Sequence, residues 1–235
     1  MRTALIADIH GNFVSLQAVL ADAGRRGADR IVCLGDVAAT GPQPLEAIDA
    51  IAALGCDVVQ GNTDAWLLDP TGEAVEDDDT RRILEIDLWV REQLRPHHLD
   101  ILREYAPVVK LNDLVCYHGS PRANDDVILP TTPDPELARM LDGYTAPVLA
   151  GGHTHLAMLR RHGRSLVVNP GSVGVPFEHV PNAGFRNPPW AEYAIVGEGD
   201  VEFHRVPVDV GAVTEAALSS RMPNGGWWVK DWSWT

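Results

Sequence analysis

The sequence predicts an α/β fold in which a parallel sheet is covered by helices and a second sheet packs against it. The first part of the chain alternates short apolar runs with amphipathic segments, a pattern typical of strands and helices in a parallel sheet. The later part contains apolar runs joined by short turns, which indicates antiparallel strands. With 235 residues and 45% hydrophobic side chains, the chain is long enough for one large domain spanning residues 1–235.

The amino-terminal part is predicted to contain three strands, each followed by a loop and the first two also by a helix. The predicted strands are 3–7, 31–36 and 57–62, and the predicted helices run from Phe13 to about Gly24 and from Pro44 to Leu54. Glycine ends the first helix because it adopts backbone conformations that close a helix at little cost. Residues 66–106 are predicted to form a helical insertion, because apolar positions recur there at helical spacing among many charges until Pro96 breaks the pattern.

The carboxyl-terminal part is predicted to consist mainly of short strands. The predicted strands are 108–111, 114–119, 147–152, 157–161, 165–169, 193–197 and 201–206, with a short helix at 134–142. Residues 177–190 are rich in proline and predict a long loop, which together with the insertion is expected to determine specificity. The tail, residues 222–235, contains four of the seven tryptophans, so we expect it to dock on its own chain or on a second subunit.

Charge and hydropathy narrow the class of protein. The amino terminus, MRTALIADIH, is too short an apolar stretch for a signal peptide, and no stretch approaches the roughly 20 apolar residues of a membrane span. A cytoplasmic protein without a membrane partner is therefore expected. The net charge of −14 disfavours nucleic acid as a partner, because that binding depends on Lys and Arg.

Five polar clusters follow directly after predicted strands. They are Asp8-Ile9-His10, Gly35-Asp36, Gly61-Asn62-Thr63-Asp64, His118-Gly119 and Gly152-His153-Thr154-His155. Alone, such an Asp is usually a cap or turn residue, and such a His usually makes an ordinary hydrogen bond. Five clusters in succession at strand ends predict more than caps, because the carboxyl ends of parallel strands meet at one edge where ligands bind.

The side chains of these clusters predict a metal site. They supply two Asp, one Asn and four His, a set that suits Mn, Fe, Co, Ni or Zn, whereas the absence of thiolates argues against a structural zinc. Seven ligands are too many for one ion, but they fill two sites if one carboxylate bridges. The remaining histidines His97, His98, His162 and His204 are expected at the surface, and His179 is a candidate to reach the site from its loop.

The same residues resemble a known family. DIHGN (8–12), GD (35–36), GNTD (61–64), HG (118–119) and GHTH (152–155) are similar to the motif blocks of calcineurin-like metallophosphoesterases, and VNPGSVG (168–174) resembles a further stretch of the small bacterial and archaeal phosphodiesterases and phosphatases. The resemblance implies a four-layer αββα sandwich of two mixed sheets flanked by helices. It also implies hydrolysis of a small-molecule phosphate ester by a hydroxide that bridges two metal ions.

The resemblance assigns a role to each motif residue. It implies that Asp8, His10 and His155 bind one ion, that Asn62, His118 and His153 bind the other, and that Asp36 bridges both. Asp36, Asn62 and His118 thereby act in catalysis, and Asp64 is expected to orient its neighbours. Asn12 either contacts a phosphoryl oxygen or caps the helix that follows it.

One position departs from the family pattern. Many relatives have His where this chain has Thr63, and a threonine cannot act as a general acid near neutral pH. Either the leaving group needs little help, or His179 or a metal-bound water supplies the proton. This favours a phosphodiester as substrate. The alternatives are a phosphomonoesterase acting on proteins or small molecules, a binding or scaffold member without strong activity, and a nuclease using a local patch of Arg81, Arg82, Arg122 and Arg186.

Overall fold

The computed structural model describes residues 1–71, 75–180, 184–197 and 199–232. The strands are β1 Thr3–Ile6, β2 Arg30–Cys33, β3 Asp57–Val58, β4 Val109–Leu111, β5 Leu114–Cys116, β6 Val148–Ala150, β7 Met158–His162, β8 Ser165–Asn169, β9 Glu178–Val180, β10 Gly184–Arg186, β11 Trp190–Gly197 and β12 Asp200–Pro207. The helices are α1 Phe13–Arg25, α2 Pro44–Leu54, α3 Asn62–Leu68, α4 Asp78–Gln93, α5 Pro96–Arg103, α6 Asp134–Met140, α7 Val210–Ser219 and α8 Gly225–Trp228, followed by a 3-10 turn, Val229–Trp232.

Two five-stranded mixed sheets form the centre of the fold, as the sequence predicted. The first sheet has the order β12-β11-β1-β2-β3, with β1, β2 and β3 parallel and β11 antiparallel to both of its neighbours. The second has the order β4-β5-β6-β8-β7, with β5, β6 and β8 parallel and the two edge strands antiparallel. The carboxyl ends of the parallel strands carry the polar clusters described above.

Two details of the strand prediction were wrong. The strands β11 and β12 belong to the first sheet, where β11 pairs with β1, although turn-linked strands were expected to build the second sheet. Because β1 would otherwise expose a row of unpaired backbone groups, a strand distant in sequence covers that edge. The segment 177–190 is not simply a loop, since β9 and β10 form a short antiparallel ribbon within it.

The layers follow from alternation of side chains along the strands. In β1 and just beyond it, Ala4 and Ile6 face the helices of the first sheet, whereas Leu5 and Ala7 face the second sheet. This period of two is what a strand buried on both faces requires. The outer face of the second sheet packs against α6 through residues such as Leu137. Helices, two sheets and a further helix therefore make the four layers that were predicted.

The predicted helical insertion consists of α3, α4 and α5, and its first helix begins earlier than expected, at Asn62. The side chain of Asp77 starts α4 by accepting a hydrogen bond from the backbone N–H of Thr80 at 2.8 Å. The prediction that a break occurs at Pro96 is correct, because α5 begins there after two residues outside either helix. Residues 72–74 lie outside the described part of the chain.

The tryptophan-rich tail packs on its own chain. The exposed fraction of Trp228 is 6% and that of Trp232 is 1%, and both belong to the core between the first sheet and its helices. The indole N–H of Trp228 donates to the carbonyl of Thr40 at 2.8 Å, and Asn224 donates to Glu85 of α4 at 2.8 Å. Of the two expected docking modes, on its own chain or on a second subunit, these contacts agree with the first. Trp234 lies outside the described residues.

Among the described residues, no helix has both the length and the apolar composition needed to cross a membrane.

Candidate metal centre

The predicted clusters meet at one edge of the two sheets. Asp8 follows β1, Asp36 follows β2, and Asn62 begins the helix after β3. From the second sheet, His118 follows β5 and His153 follows β6. The parallel direction of these strands places all of their carboxyl ends on the same side, which explains how residues far apart in sequence come together.

The ligand atoms form two triads. In the first, consisting of Asp8, His10 and His155, the two Nε2 atoms lie 3.1 Å apart and Nε2 of His155 lies 3.6 Å from Oδ1 of Asp8. In the second, consisting of Asp36, His118 and His153, Nε2 of His118 lies 3.3 Å from Oδ2 of Asp36. Within each triad the candidate ligand atoms all lie within 4.8 Å of one another.

Asp36 and Asn62 connect and complete these triads. Oδ2 of Asp36 lies 3.3 Å from Nε2 of His118 and 3.7 Å from Nε2 of His10, so its carboxylate stands between the two groups. Oδ1 of Asn62 lies 3.1 Å from Nε2 of His118. The structure therefore brings together all seven residues that the sequence selected as ligands.

Hydrogen bonds to the backbone determine which nitrogen of each imidazole carries the proton. Nδ1 of His10, His118 and His155 lies 3.0, 2.7 and 2.8 Å from the carbonyl oxygens of Ala39, Leu34 and Val175. A carbonyl only accepts, so each Nδ1 carries a hydrogen and donates it. In the neutral ring, Nε2 then has a free lone pair, and in all three residues it points to the centre of the site.

These lone pairs make a site that fits cations. Nε2 of His10 and of His155 face each other at 3.1 Å without a proton between them in the neutral tautomers, and carboxylate oxygens surround both. Oδ2 of Asp8 is buried and has no hydrogen-bond partner among the described residues. Such crowded acceptors repel one another, and imidazole with carboxylate is the set that divalent transition metals prefer.

Burial and crowding also perturb the pKa values of these side chains. Burial raises the pKa of Asp8 to about 8, because water no longer solvates its ionised form. Burial also lowers the pKa of His155 to about 3, with a contribution from the neighbouring His10. For Asp36, burial would raise the pKa, but His118, His10 and a hydrogen bond from Thr63 outweigh it and lower the pKa. Burial would lower the pKa of His118, but the carboxylates of Asp36 and Asp8 outweigh it and raise the pKa to about 10, so without a cation Nε2 of His118 holds a proton.

The backbone is strained at the same residues. Five candidate ligands have φ angles between 46° and 69°, in the left-handed region that residues other than glycine rarely adopt. They are Asp8, His10, Asp36, His153 and His155. Each such residue costs on the order of 1 kcal/mol or more, and strain of this kind clusters at functional sites. Five of the seven candidate ligands share this conformation, so the loops hold their side chains at a measurable cost in stability.

Asp64 lies beneath the ligands and is not one of them. Its fully buried carboxylate accepts hydrogen bonds from the backbone N–H groups of Asp36, Val37 and Gly61 at 2.8, 3.0 and 2.9 Å. It therefore ties the loop after β2 to the loop after β3. This position suits the orienting role expected for Asp64.

Asn12 makes two structural hydrogen bonds. Its Oδ1 accepts from the backbone of Ser15 at 3.1 Å and caps α1, while its Nδ2 donates to the carbonyl of Gly174 at 2.9 Å. Of its two expected roles, the structure therefore supports the helix cap. The side chain of His179 lies outside the described part of the structure.

Two residues that support the site were not selected from the sequence. The hydroxyl of Ser172 donates to the carbonyl of Asp8 at 2.7 Å, and Nδ2 of Asn169 donates to the carbonyl of Gly152 at 2.6 Å. Both lie in the stretch 168–174. From the sequence that stretch was recognised only as a resemblance, and its polar residues were a signal of this role that went unused.

A cavity of about 250 Å³ opens above the ligands. Its polar lining includes His10, Asp36, Asn62, Thr63, His153, His155 and Asp231, and its apolar lining is Ile83, Val175, Phe177, Trp227 and Trp228. Specificity was expected from the insertion and the 177–190 segment, which indeed contribute Ile83 and Phe177. The contribution of the carboxyl-terminal tail was missed, because nothing in its sequence indicates where it docks.

One expectation about the other histidines was wrong. His98 was expected at the surface, but its exposed fraction is 2%. It turns inward because its Nδ1 accepts the backbone N–H of Arg95 at 3.1 Å and so caps the start of α5. Its Nε2 points to Asp49 of α2, with 3.4 Å between Nε2 and Oδ1.

Comparisons with known proteins agree with the fold and identify the family. The family model of the calcineurin-like phosphoesterase superfamily domain matches residues 1–185. An uncharacterized protein of Methanocaldococcus jannaschii is 26% identical over 244 residues, covering 94% of this chain and 93% of the relative. A metallophosphoesterase from Sphaerobacter thermophilus has a similar structure, with a TM-score of 0.78 and 27% identity over 98% of this chain and 97% of the other.

A hypothetical protein from Pyrococcus horikoshii shares the fold, with a TM-score of 0.78 and 23% identity over 97% of this chain and 96% of the other. The similarity to both solved structures extends over almost the whole chain, beyond the residues that the family model matches.

Proposed function

The chain belongs to the calcineurin-like phosphoesterase superfamily, and we propose that it hydrolyses a small-molecule phosphate ester, preferably a phosphodiester, with the help of two divalent metal ions. The observation that carries the proposal is the convergence of the Nε2 atoms of three imidazoles with the oxygens of Asp8, Asp36 and Asn62. A set of acceptors this dense supports cation binding, and its place at the strand ends is where ligands bind in such folds.

Each residue of the site has a proposed task. Asp8, His10 and His155 would hold one ion, Asn62, His118 and His153 would hold the other, and Asp36 would contact both. Bound Mn, Fe, Co, Ni or Zn ions would activate water as the nucleophile and offset the negative charge of the phosphoryl oxygens. The carbonyls of Ala39, Leu34 and Val175 keep three imidazoles in the required tautomer and orientation.

The preference for a diester is proposed from Thr63. Thr63 lines the cavity, and its hydroxyl is buried without a hydrogen-bond partner among the described residues. Its backbone N–H donates to Oδ1 of Asp36 at 3.0 Å, so it helps to place that carboxylate. A threonine hydroxyl does not act as a general acid near neutral pH, so esters with good leaving groups should react fastest.

A nuclease is the weaker alternative. The four arginines considered as a track for a nucleic-acid backbone are each paired with a carboxylate. The pairs are Arg81 with Asp78 and Glu85, Arg82 with Asp79, Arg122 with Asp126, and Arg186 with Glu178. Their charge is largely compensated locally, which leaves little of it to attract phosphates.

The direct test is metal-dependent hydrolysis. Protein stripped with a chelator and then supplied with Mn, Zn, Co, Ni or Fe should cleave an activated diester, and the rate should return to zero when the chelator is added again. Failure to cleave any of a panel of diesters, monoesters and cyclic nucleotides with every metal would reject the proposal in favour of a binding role.

The diester preference is tested by restoring an imidazole. Thr63→His should raise the turnover of monoesters with poor leaving groups by up to ~10² to 10⁴-fold, the range usual for general acid catalysis. The measurement is the slope of log rate against leaving-group pKa for wild type and variant at equal metal content. The control is Thr145→His, the same substitution at an exposed position. A shallow slope in the wild type that the variant leaves unchanged would mean that another group supplies the proton.

A further inference from the structure

Two aromatic side chains stand beside the ligands on the wall of the cavity. We call Phe177 and Trp227 the aromatic wall. The ring of Phe177 stacks on His155, with centroids 5.0 Å apart and planes at 6°, and 42% of the residue remains exposed. Trp227 is half-buried, and the guanidinium of Arg82 lies 5.7 Å from its ring centroid. Both residues therefore present ring surface within the cavity that contains the candidate metal ligands.

The packing of the tail does not explain the exposure of Trp227. Trp228 and Trp232 already anchor the tail, since both are buried in the core and Trp228 also donates a hydrogen bond to Thr40. The backbone of Asn187 donates to the carbonyl of Asp231 at 2.8 Å and ties the tail to the segment after β10. Trp227 packs partly against the same core, and with the tail held at these points the rest of the residue lines the cavity.

The chemistry of the wall specifies what fits against it. Flat aromatic rings stack favourably on Phe and Trp and exclude water from both surfaces, whereas a puckered aliphatic ring of similar size makes poorer contact. The volume of about 250 Å³ lies just below the ~300 to 1,000 Å³ usual for drug-sized ligands. It therefore suits a small ester rather than a large one.

We infer that the cavity takes phosphate esters that carry a flat aromatic ring, which Phe177 and Trp227 hold beside the metal centre. The inference rests on the proposed function, because it names the group attached to the phosphate that the site would hydrolyse. It also makes the carboxyl-terminal tail a determinant of specificity, a role that neither the family motifs nor the strand ends provide.

The test compares two diesters with the same leaving group. Each carries hexafluoroisopropanol as the leaving group, followed by fluorine NMR, and either benzyl or cyclohexylmethyl as the second ester group, because both of these alcohols are much poorer leaving groups. The quantity of interest is the ratio of kcat/KM for the benzyl over the cyclohexylmethyl diester. Taking the same ratio in wild type and variants cancels the intrinsic reactivity of the two esters. The wild type should have the higher ratio, by roughly 5- to 100-fold over the variant without the wall.

The variants separate stacking from a structural role. The double variant Phe177→Leu/Trp227→Leu removes the wall and should lose the preference, mainly through KM. Trp227→Phe keeps a flat aromatic ring and should retain most of the preference for the aromatic diester. Phe203→Leu, an exposed aromatic on β12 that does not line the cavity, is the matched control and should leave the ratio unchanged. All comparisons are made at equal metal content.

The outcomes distinguish the two proposals. If the wild type cleaves both diesters and the double variant keeps the wild-type ratio, the aromatic wall does not select the ring and the inference is overturned, while the proposed function stands. If the wild type cleaves neither diester with any of the metals, the proposed function fails and this inference fails with it.

Discussion

Two groups of His and Asp side chains in this chain have the same composition but opposite hydrogen bonding. In the candidate metal centre, Nδ1 of His155 donates to the carbonyl of Val175, which leaves the lone pair of Nε2 free beside Nε2 of His10 and Oδ1 of Asp8. In the second group, consisting of Asp49, His97 and His98, Nδ1 of His98 instead accepts a backbone N–H. The neutral His98 ring therefore carries its proton on Nε2, directed at Asp49.

The difference shows that residue type and proximity do not by themselves make a metal site. The ligand atoms of Asp49, His97 and His98 lie as close together as those of either triad, within 4.8 Å. A protonated Nε2 has no lone pair for a cation, however, so His98 presents an N–H where His155 offers a ligand atom. The partner of Nδ1, an acceptor in one group and a donor in the other, separates the two.

The strongest test of this comparison makes the same substitution in both groups. Asp36→Asn should lower hydrolysis by more than ~100-fold, above the 10- to 100-fold usual for groups that only support a ligand, because Asp36 faces both triads. Asp49→Asn should leave activity within about twofold, since Asp49 contacts no candidate ligand of the metal centre. The measurements are kcat/KM and bound metal per chain. Equal losses in the two variants would contradict the distinction drawn from the imidazole tautomers.

A second test addresses the carboxylate that holds the loops. Asp64→Asn replaces one acceptor oxygen by an N–H₂ group that faces backbone donors, so it should lower the free energy of unfolding by roughly 2 to 4 kcal/mol. Activity should fall as well, because the N–H groups of Asp36 and Val37 lose their common acceptor. Denaturant unfolding provides the measurement. Asp209→Asn, in an exposed helix cap that either residue can form, is the control and should change little.

The convergence of the seven candidate ligands was predictable from the sequence for a physical reason. Parallel strands bring their carboxyl ends to one edge, so Asp8, Asp36 and His118 had to meet if the strands were assigned correctly. The strand assignments depended on short apolar runs such as residues 3–7, which are visible in the sequence and end at a polar cluster. Local apolar runs and one rule of sheet geometry were sufficient for this part of the molecule.

Other features depend on contacts between segments that carry no local signal. The pairing of β11 with β1 and the docking of Trp227 at the cavity both join residues far apart in sequence. The burial of His98 results from a cap at one helix start, and the sequence around Pro96 does not distinguish it from an exposed position. The sequence therefore predicted the residues that follow strands better than it predicted the surfaces that surround them.

A third test measures stabilisation by metal. Saturating Mn at about 100 times its Kd should stabilise the wild type by ~2.7 kcal/mol, because the ion binds only the folded chain. Asp49→Asn should show the same gain, and Asp36→Asn should show a smaller gain. Thermal unfolding with and without Mn gives the values. A gain that depends on Asp49 would place a cation in the group that we describe as a hydrogen-bonded cap.

The smallest expected effect concerns the pH dependence of His98. Burial lowers the pKa of His98 below its usual value, and His97 adds to this while Asp49 opposes it. The neutral form is therefore favoured in the folded chain, so its contribution to stability is present above the unfolded pKa of about 6.5 and is lost as pH falls below that value. The substitution His98→Asn keeps an acceptor for the N–H of Arg95 but does not titrate.

At pH 8 the wild type should exceed His98→Asn in free energy of unfolding by about 1 kcal/mol, the typical cost of one point substitution. This margin should shrink steadily between pH 7 and pH 5, because only the wild type must keep a neutral imidazole against increasing acidity. Urea unfolding of both chains across that range measures the margin, and the NMR titration of His98 identifies the group responsible. A margin that stays constant or grows toward acid would mean that His98 is charged when folded, and the tautomer assigned from Arg95 would then be wrong.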